Sequence, residues 1–254
     1  MGVHMFSVRK RARLAGVALA GIMLAGSAAA NAGVVVKSSG PSADQYPVGE
    51  EVADSSTISL RAGDKITVLT DRGTKVMQGP GTFRVGERPT RTRARLTNMT
   101  RRNAARGART GAVRGSGGSS GPDTIPNLWL VDVTRGGPTC LYNLDRVRLW
   151  RPVSEEAQTY RISQVGTNEA LDVEFVGTES VRALDPAGLQ LMNGQSYTIT
   201  GPASEGGSMP NVEIRVIEMT EAFRQPAELA RALVANGCMS QVAVLGNTAE
   251  AEAS

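Results

Sequence analysis

The stretch TISLRAGDKITVLTDRGTKVMQGPGTF, residues 57–83, decides the fold of the first part of this 254-residue chain. Its apolar residues alternate with polar ones in short runs, and Gly, Asp and Pro residues separate the runs. Alternation with a period of two between turn formers is typical of β-strands. The stretch therefore predicts an antiparallel meander with strands at 58–60, 66–69 and 75–77, followed by a glycine-rich turn.

Two glycine turns in this stretch, Gly63-Asp64 and Gly79-Pro80-Gly81, allow two interpretations. Glycine lets a backbone approach a ligand closely, which would suit a binding loop. Glycine, Pro and Asp also supply the geometry of ordinary tight turns. A phosphate-binding loop needs a strand before it and a helix after it, and this region reads as β throughout. The turn interpretation is favoured.

The N-terminus has the three parts of a secretory signal peptide, predicted to span residues 1–32. An apolar run at 14–26 follows a positive segment, and small residues offer cleavage between Ala32 and Gly33 or after Ala30. The positive residues are Arg9, Lys10, Arg11 and Arg13. An uncleaved anchor is the alternative, but a membrane-spanning helix needs about 20 apolar residues. The sequence predicts a protein exported to the periplasm of a Gram-negative bacterium, with no transmembrane segment after cleavage.

Removal of this leader changes the charge and the chemistry of the chain. The whole chain has 28 basic and 24 acidic residues, and its single histidine, His4, lies in the leader. The mature chain is thus nearly neutral and without histidine. Catalytic triads that use histidine and histidine-based metal sites are excluded. We expect neither catalysis nor a cofactor or metal.

The segment 87–124 has the composition of a disordered linker between two domains. Residues 84–114 contain ten arginines and one acid, and SGGSSGP follows at 116–122. A block of like charges with few apolar residues does not form a packed core, and Gly/Ser-rich sequence is flexible.

Three functions compete for this basic segment. It can be a solvated linker, it can attach the protein to anionic lipid or lipopolysaccharide, or it can bind nucleic acid. Basic residues near an anionic surface contribute up to about 1 kcal/mol each. Nucleic-acid binding is disfavoured because the segment has no aromatic residues for stacking on bases. The residues assigned to surface attachment are Arg88, Arg91, Arg93, Arg95, Arg101, Arg102, Arg106 and Arg109.

Residues 125–220 show the strand rhythm of an antiparallel β-sandwich. Short apolar runs at 127–133, 147–150, 160–162, 171–175 and 212–217 alternate with turn-forming residues. Trp129 and Trp150 stand on such runs, which favours core positions over ligand-stacking ones.

The C-terminal part changes to a helical period. Pro226 at a first turn, Leu229 and Leu233 four residues apart, and Gly237 as a stop signal predict a single helix. We expect this helix and the apolar run at 242–245, together residues 221–246, to pack on the sandwich. Residues 247–254 are predicted to be a disordered tail.

Cys140 and Cys238 are the two cysteines of the chain. An isolated pair in an exported protein most simply forms a disulfide. A bridge closing a loop of about 98 residues contributes about 4–5 kcal/mol in the chain-entropy model. A redox-active or nucleophilic thiol is the alternative, but it requires a Cys-x-x-Cys spacing or a nearby histidine.

The first part of the chain, residues 33–86, resembles the small β-domains of FecR-like bacterial envelope proteins. The pattern that carries the resemblance ends in a glycine-rich hairpin and consists of Ile58, Leu60, Gly63, Asp64, Ile66 and Val68. The resemblance implies a sensory or regulatory accessory role. FecR itself has a cytoplasmic segment and a membrane anchor that this sequence does not show, so its signalling mechanism is not carried over.

A second resemblance concerns Leu191, Gly194 and Tyr197. Their spacing is similar to the tyrosine corner of fibronectin type III and immunoglobulin-like sandwiches, in which the phenol bonds to nearby backbone.

Three functions follow in order of preference. The first is a non-catalytic exported module that binds or scaffolds another, unknown envelope protein. The second is the FecR-like regulatory role. The third is a hydrolase that works through two carboxylates, as many glycosidases do.

Overall fold

The computed structural model of the chain describes Gly2 and residues 32–87, 125–202 and 211–253. These residues are mainly β, as the sequence predicted, with fourteen strands and two α-helices. Apart from Gly2, the predicted signal peptide up to Asn31 lies outside the described residues, and so does the predicted linker from Arg88 to Thr124. In the part of the chain that is described, no helix is long and apolar enough to cross a bilayer.

The first β unit, residues 32–87, has a four-stranded antiparallel sheet in the order β2-β1-β4-β5 and a separate pair, β3-β6. One face of the sheet and the strand pair enclose a small core that includes Val35, Ile58, Val68 and Met77. Its strands are β1 (Ala32–Ser39), β2 (Glu51–Ala53), β3 (Thr57–Leu60), β4 (Lys65–Thr70), β5 (Gly73–Gln78) and β6 (Gly81–Arg84).

The predicted strands of this unit are present, but the predicted meander is wrong. β4 and β5 form the expected hairpin, whereas β3 pairs with β6 instead of β4. The chain can cross itself here because Gly79 has no side chain: a Cβ at this position would collide with the carbonyl oxygen of Arg61. Strand rhythm predicts where strands lie and leaves their partners open.

The β-sandwich unit, residues 125–202 and 211–218, consists of two sheets that share one core. A five-stranded sheet has the order β11-β10-β13-β14-β8, and a three-stranded sheet has the order β12-β9-β7. The strands are β7 (Leu130–Asp132), β8 (Gly137–Leu141), β9 (Arg148–Trp150), β10 (Gln158–Gln164), β11 (Ala170–Phe175), β12 (Val181–Ala183), β13 (Ser196–Thr200) and β14 (Asn211–Glu218).

The sandwich differs from the prediction in strand direction. β8 runs parallel to β14, and β7 runs parallel to β9, whereas the sequence predicted antiparallel strands throughout. Alternation of apolar and polar residues is the same in both directions when one face of a strand is buried, so it does not distinguish them. The parallel pair β8-β14 places Leu141 and Glu218 side by side at one end of the five-stranded sheet.

The C-terminal region contains two helices where one was predicted. The predicted helix is α1 (Pro226–Ala235), and Gly237 adopts a φ of +72° just after it. The apolar run 242–245 lies within a second helix, α2 (Met239–Ala253), which includes most of the predicted disordered tail. This helix is stabilised along its length because Val242, Leu245 and Ala249, at helical spacing, are all buried.

The two helices form a layer that contacts both β units, whereas the sequence placed them on the sandwich alone. α2 contacts β1, β4 and β5 as well as β8. Val34 and Val36 of β1 belong to the same buried cluster as the helix residues. Glu250 near the end of α2 pairs with Lys37 at 2.6 Å and with Lys65. The helical layer therefore joins the two units.

A disulfide and a buried amide attach this layer to the sandwich. Cys140 of β8 and Cys238 form the predicted bridge, and both are fully buried. The Gln241 side chain accepts a hydrogen bond from the Cys140 N–H and donates to the Cys140 carbonyl, both at 2.7 Å. It also donates to the Leu128 carbonyl at 2.8 Å. One amide thus satisfies three buried backbone groups at the edge of the sheet.

Candidate functional site

The candidate site is a polar groove at one end of the five-stranded sheet. Leu141 and Glu218 lie opposite each other at the ends of the parallel strands β8 and β14. β13 runs antiparallel to β14 and begins at the same end. The groove has a volume of about 470 Å³ and is lined by Tyr142, Asn143, Leu144, Asp145, Gln190, Leu191, Met192, Asn193 and Glu218. This volume lies in the range of small-molecule sites, roughly 300–1,000 Å³.

One wall of the groove is apolar and exposed. Tyr142 is 47 % exposed and Met192 is 45 % exposed, so both present apolar surface to solvent. The Tyr142 ring lies 5.8 Å from the half-buried ring of Trp129, at an interplanar angle of 57°. This tilted contact supports one side of the Tyr142 ring, and the ring carries a flat apolar surface at the edge of the groove.

The Tyr197 side chain positions the loop 190–193, which supplies Met192 and three other lining residues. The Tyr197 hydroxyl accepts a hydrogen bond from the Met192 N–H at 2.9 Å and donates to the Gln190 carbonyl at 3.3 Å. Burial raises the pKa of the Tyr197 phenol, although the Met192 N–H partly opposes this shift. Gly194 adopts a φ of +79°, which favours glycine, and Leu191 is buried. Local phenol-to-backbone bonding of the kind predicted from Leu191, Gly194 and Tyr197 thus holds the loop 190–193.

Three amide side chains of the groove are each held at one end. Asn143 Oδ1 accepts from the Asp145 N–H at 2.9 Å, and Asn193 Oδ1 accepts from the Glu218 N–H at 3.0 Å. Gln190 Nε2 donates to Asp145 Oδ1 at 3.2 Å. Among the described residues, the other end of each amide has no hydrogen-bond partner: the two Asn NH₂ groups can donate and Gln190 Oε1 can accept. These amides are oriented by the protein and can still bind a ligand.

The groove is negative. Its lining includes the carboxylates of Asp145 and Glu218, and no lysine, arginine or histidine among the described residues lines it. Both carboxylates are exposed. A catalytic acid is usually a desolvated carboxyl, and exposure on this scale does not provide that environment. No group of three or more metal-ligating side chains occurs in the described ranges.

The glycine turns of the first β unit have a structural role. Asp64 is only 1 % exposed, and its carboxylate accepts hydrogen bonds from the Ser42 N–H at 2.9 Å and from the Arg61 N–H. Burial alone would raise the pKa of Asp64, but the hydrogen bonds with Ser42 and Arg61 and the Arg61 charge hold that pKa below its usual value. With Gly79 crossing over Arg61, these turns have the structural role that the sequence favoured.

A buried arginine that the sequence did not single out is also structural. Arg151 is fully buried, and its guanidinium lies 5.3 Å from the centre of the Phe175 ring. It donates to Gln158 Oε1 at 2.8 Å and to the carbonyls of Glu156, Gly177 and Glu179. Since each guanidinium nitrogen already donates, Arg151 is not available to a ligand.

The remaining predicted site residues fall into three groups. The eight arginines from Arg88 to Arg109 lie outside the described residues. Ala32 and Gly33 begin β1, so cleavage between them would leave β1 without its first residue. Cys140 and Cys238 are joined, which excludes the reactive-thiol alternative in this structure.

The groove could not be predicted from the sequence. The lining side chains come from segments that are far apart in the chain, and the parallel pairing of β8 with β14 brings them together. The local signal was the polar pair Asn143 and Asp145 directly after a strand, which reads equally well as an ordinary turn.

Comparison of the chain with protein-family models, with curated proteins and with solved structures finds no match. The resemblances to FecR-like and fibronectin-like domains therefore depend on the sequence motifs alone.

Proposed function

We propose that this protein is a non-catalytic exported module of the bacterial cell envelope that binds another envelope component through its polar groove. The observation that carries the proposal is the set of three amides, Asn143, Gln190 and Asn193, each fixed at one end and unpaired at the other among the described residues. Polar groups that a protein orients but does not satisfy are the usual specificity elements of a binding site.

The setting follows from two observations. The leader has the charge and apolar pattern of a secretory signal peptide. The buried Cys140–Cys238 bridge fits an oxidising compartment, since disulfides are rare in the cytosol. Together they support export to the periplasm of a Gram-negative bacterium.

A binding role is favoured over carboxylate-based hydrolysis. Asp145 and Glu218 share the groove, but both are exposed. Hydrolysis of a glycosidic bond requires one carboxyl that stays protonated near neutral pH, which usually requires burial. Release of new reducing ends from an oligosaccharide incubated with the purified protein would contradict the non-catalytic proposal.

The test is site-specific photo-crosslinking in living cells. The full chain with its leader is expressed in a Gram-negative host, with a photoreactive amino acid at Tyr142. The matched control carries it at Val176, which is 57 % exposed and does not line the groove. We expect the protein in the osmotic-shock fraction and crosslinked envelope material from position 142 alone.

Retention of the protein in the cytoplasm contradicts the proposed setting. Equal crosslinking from both positions, or none from Tyr142, contradicts the proposed surface. A crosslink to a membrane signalling protein would instead favour the FecR-like regulatory role.

A further inference from the structure

We propose that the groove binds an uncharged sugar chain, with a sugar ring packed against Tyr142 and its hydroxyls hydrogen-bonded to the amides and carboxylates. The inference deepens the proposed function and depends on it for the envelope setting alone, because the chemistry of the groove is independent of where the protein resides.

The hydrogen-bonding groups of the groove match hydroxyl groups. Asn143 and Asn193 each present an NH₂ donor, while Gln190 Oε1 and the carboxylates of Asp145 and Glu218 present acceptors. A hydroxyl is both a donor and an acceptor, so a ligand with several neighbouring hydroxyls can use both kinds of group at once. Few other neutral ligands carry so many groups of this dual character.

The exposed face of the Tyr142 ring is complementary to the apolar face of a sugar ring. Tyr142 is held by Trp129 at 5.8 Å and remains half exposed. A sugar ring has an apolar face of C–H groups, and such a face packs well on an aromatic ring that is already fixed. The prior contact with Trp129 reduces the conformational entropy that Tyr142 would lose on binding.

Charge excludes the anionic ligands of the envelope from this surface. Asp145 and Glu218 would repel phosphorylated or carboxylated sugars, and no basic side chain among the described residues lines the groove to offset them. Phosphate recognition generally requires arginine, lysine or a cluster of backbone N–H donors.

A basic peptide is the strongest competing ligand, because it would be attracted to the two carboxylates. A lysine or arginine side chain carries donors and no acceptor. It would therefore leave the NH₂ groups of Asn143 and Asn193 unpaired, and their partial positive charge would oppose it. An uncharged sugar has hydroxyls that can accept from these NH₂ groups and donate to the acceptors of the groove.

The experiment measures binding of defined probes to the full mature chain by isothermal titration calorimetry. The neutral probes are chitotetraose and maltotetraose, the anionic probe is tetragalacturonate, and the cationic probe is tetra-arginine. We expect one of the neutral probes to bind with an affinity that changes little with salt, since no ion pair is involved. We expect no measurable binding of tetragalacturonate or tetra-arginine to the groove.

Substitutions then locate the site. Tyr142→Ala is expected to weaken binding of the neutral probe about tenfold or more. Asn143→Asp and Asn193→Asp keep the Oδ1 acceptor that is bonded to the backbone and replace only the unpaired NH₂ donor. Each is expected to weaken binding about tenfold without lowering the melting temperature.

Two controls separate the site from its surroundings. Gln195→Glu adds the same negative charge close to Asn193 but outside the groove lining. Val176→Ala removes an exposed apolar side chain elsewhere on the sandwich unit. Both variants are expected to bind the neutral probe as the wild type does.

The possible results are distinct. The proposal is overturned if neither neutral probe binds, if Gln195→Glu weakens binding as much as Asn193→Asp does, or if tetra-arginine binds in a manner sensitive to Tyr142→Ala. Sugar binding by a protein that stays in the cytoplasm supports the ligand class and contradicts only the envelope setting. Crosslinking of an envelope protein from Tyr142 without binding of any sugar supports the proposed function and overturns only the ligand class.

Discussion

The two β units have similar alternation of apolar and polar residues in their strands. They differ in how the polar groups of their loops are hydrogen-bonded within the fold. In the first unit, the Asp64 carboxylate accepts hydrogen bonds from two backbone N–H groups. The glycine turns of that unit let two segments of the chain pass close to each other. In the sandwich unit, the loop amides at Asn143 and Asn193 use one end for the fold and leave the other without a partner among the described residues. We therefore expect binding at the sandwich loops, where amide groups remain available, and not at the glycine turns of the first unit.

The largest expected effect concerns the bridge that holds the helical layer on the sandwich. The variant Cys140→Ala/Cys238→Ala should lose about 4–5 kcal/mol of unfolding free energy, because the bridge closes a long loop in the unfolded chain. Urea denaturation of the variant and of the unreduced wild type measures this loss. A loss below about 1 kcal/mol would mean that the two units and the layer do not unfold as one cooperative body.

The next effect concerns the contact between the helical layer and the first unit. Gly246 of α2 packs on β1, and a Cβ there would lie 2.5 Å from the Val36 carbonyl oxygen. Gly246→Ala should therefore destabilise the protein by about 1–3 kcal/mol, although helix propensity alone would stabilise it by about 1 kcal/mol.

The matched control for this substitution is Asn247→Ala on the exposed face of the same helix. It should be neutral or slightly stabilising in thermal denaturation. A stabilising Gly246→Ala would show that α2 does not lie against β1 in solution.

A pair of tyrosines compares the two units directly. Tyr197→Phe removes the hydroxyl that bonds to Met192 and Gln190, and it should cost about 1–2 kcal/mol and weaken ligand binding in the groove. Tyr46→Phe removes the hydroxyl that accepts from the Ser59 N–H at 3.1 Å in the first unit.

Tyr46→Phe should leave binding in the groove unchanged, because the Tyr46 hydroxyl contacts strand β3 of the other unit. Thermal denaturation and calorimetric titration of both variants provide the comparison. Equal losses of binding would contradict the assignment of the site to the sandwich unit.

The smallest expected effect is a loss of folding stability at acid pH that is caused by protonation of Asp64. The pKa of this carboxyl is lowered in the folded protein from its usual 3.8. Above that pH the carboxylate is ionised in both states and its full stabilisation is present. As pH falls below 3.8, the unfolded chain binds the proton first, and the stabilisation is lost as pH passes through the lower folded pKa.

Melting temperatures measured from pH 6 down to pH 2 test this effect. We expect Asp64→Asn to have a shallower acid decline than the wild type. An identical decline would show that the carboxylate is not held by Ser42 and Arg61 in solution.

Local features of the fold could be predicted from the sequence. The strands around Ile58, Ile66 and Val76, the helix after Pro226 and the bridge between Cys140 and Cys238 follow from periodicity, capping residues and cysteine count. The strands and the helix depend on residues that are close in sequence, and the bridge follows because the chain has only two cysteines.

Long-range features could not be predicted. The pairing of β3 with β6, the parallel register of β8 with β14 and the contact of α2 with β1 join segments that are far apart in the chain. The groove depends on the second of these, so the sequence did not indicate that its lining residues lie together. The second helix was missed because its Ala- and Glu-rich end shows little apolar periodicity of its own.

The most direct test of the central claim is a map of backbone amide chemical shifts in the ¹⁵N-labelled mature chain during titration with the neutral oligosaccharide that binds. We expect progressive shifts at Tyr142, Asn143, Met192 and Asn193, and none at the turns 61–64 and 79–81. Shifts centred on the turns of the first unit, with the groove amides unchanged, would contradict the claim.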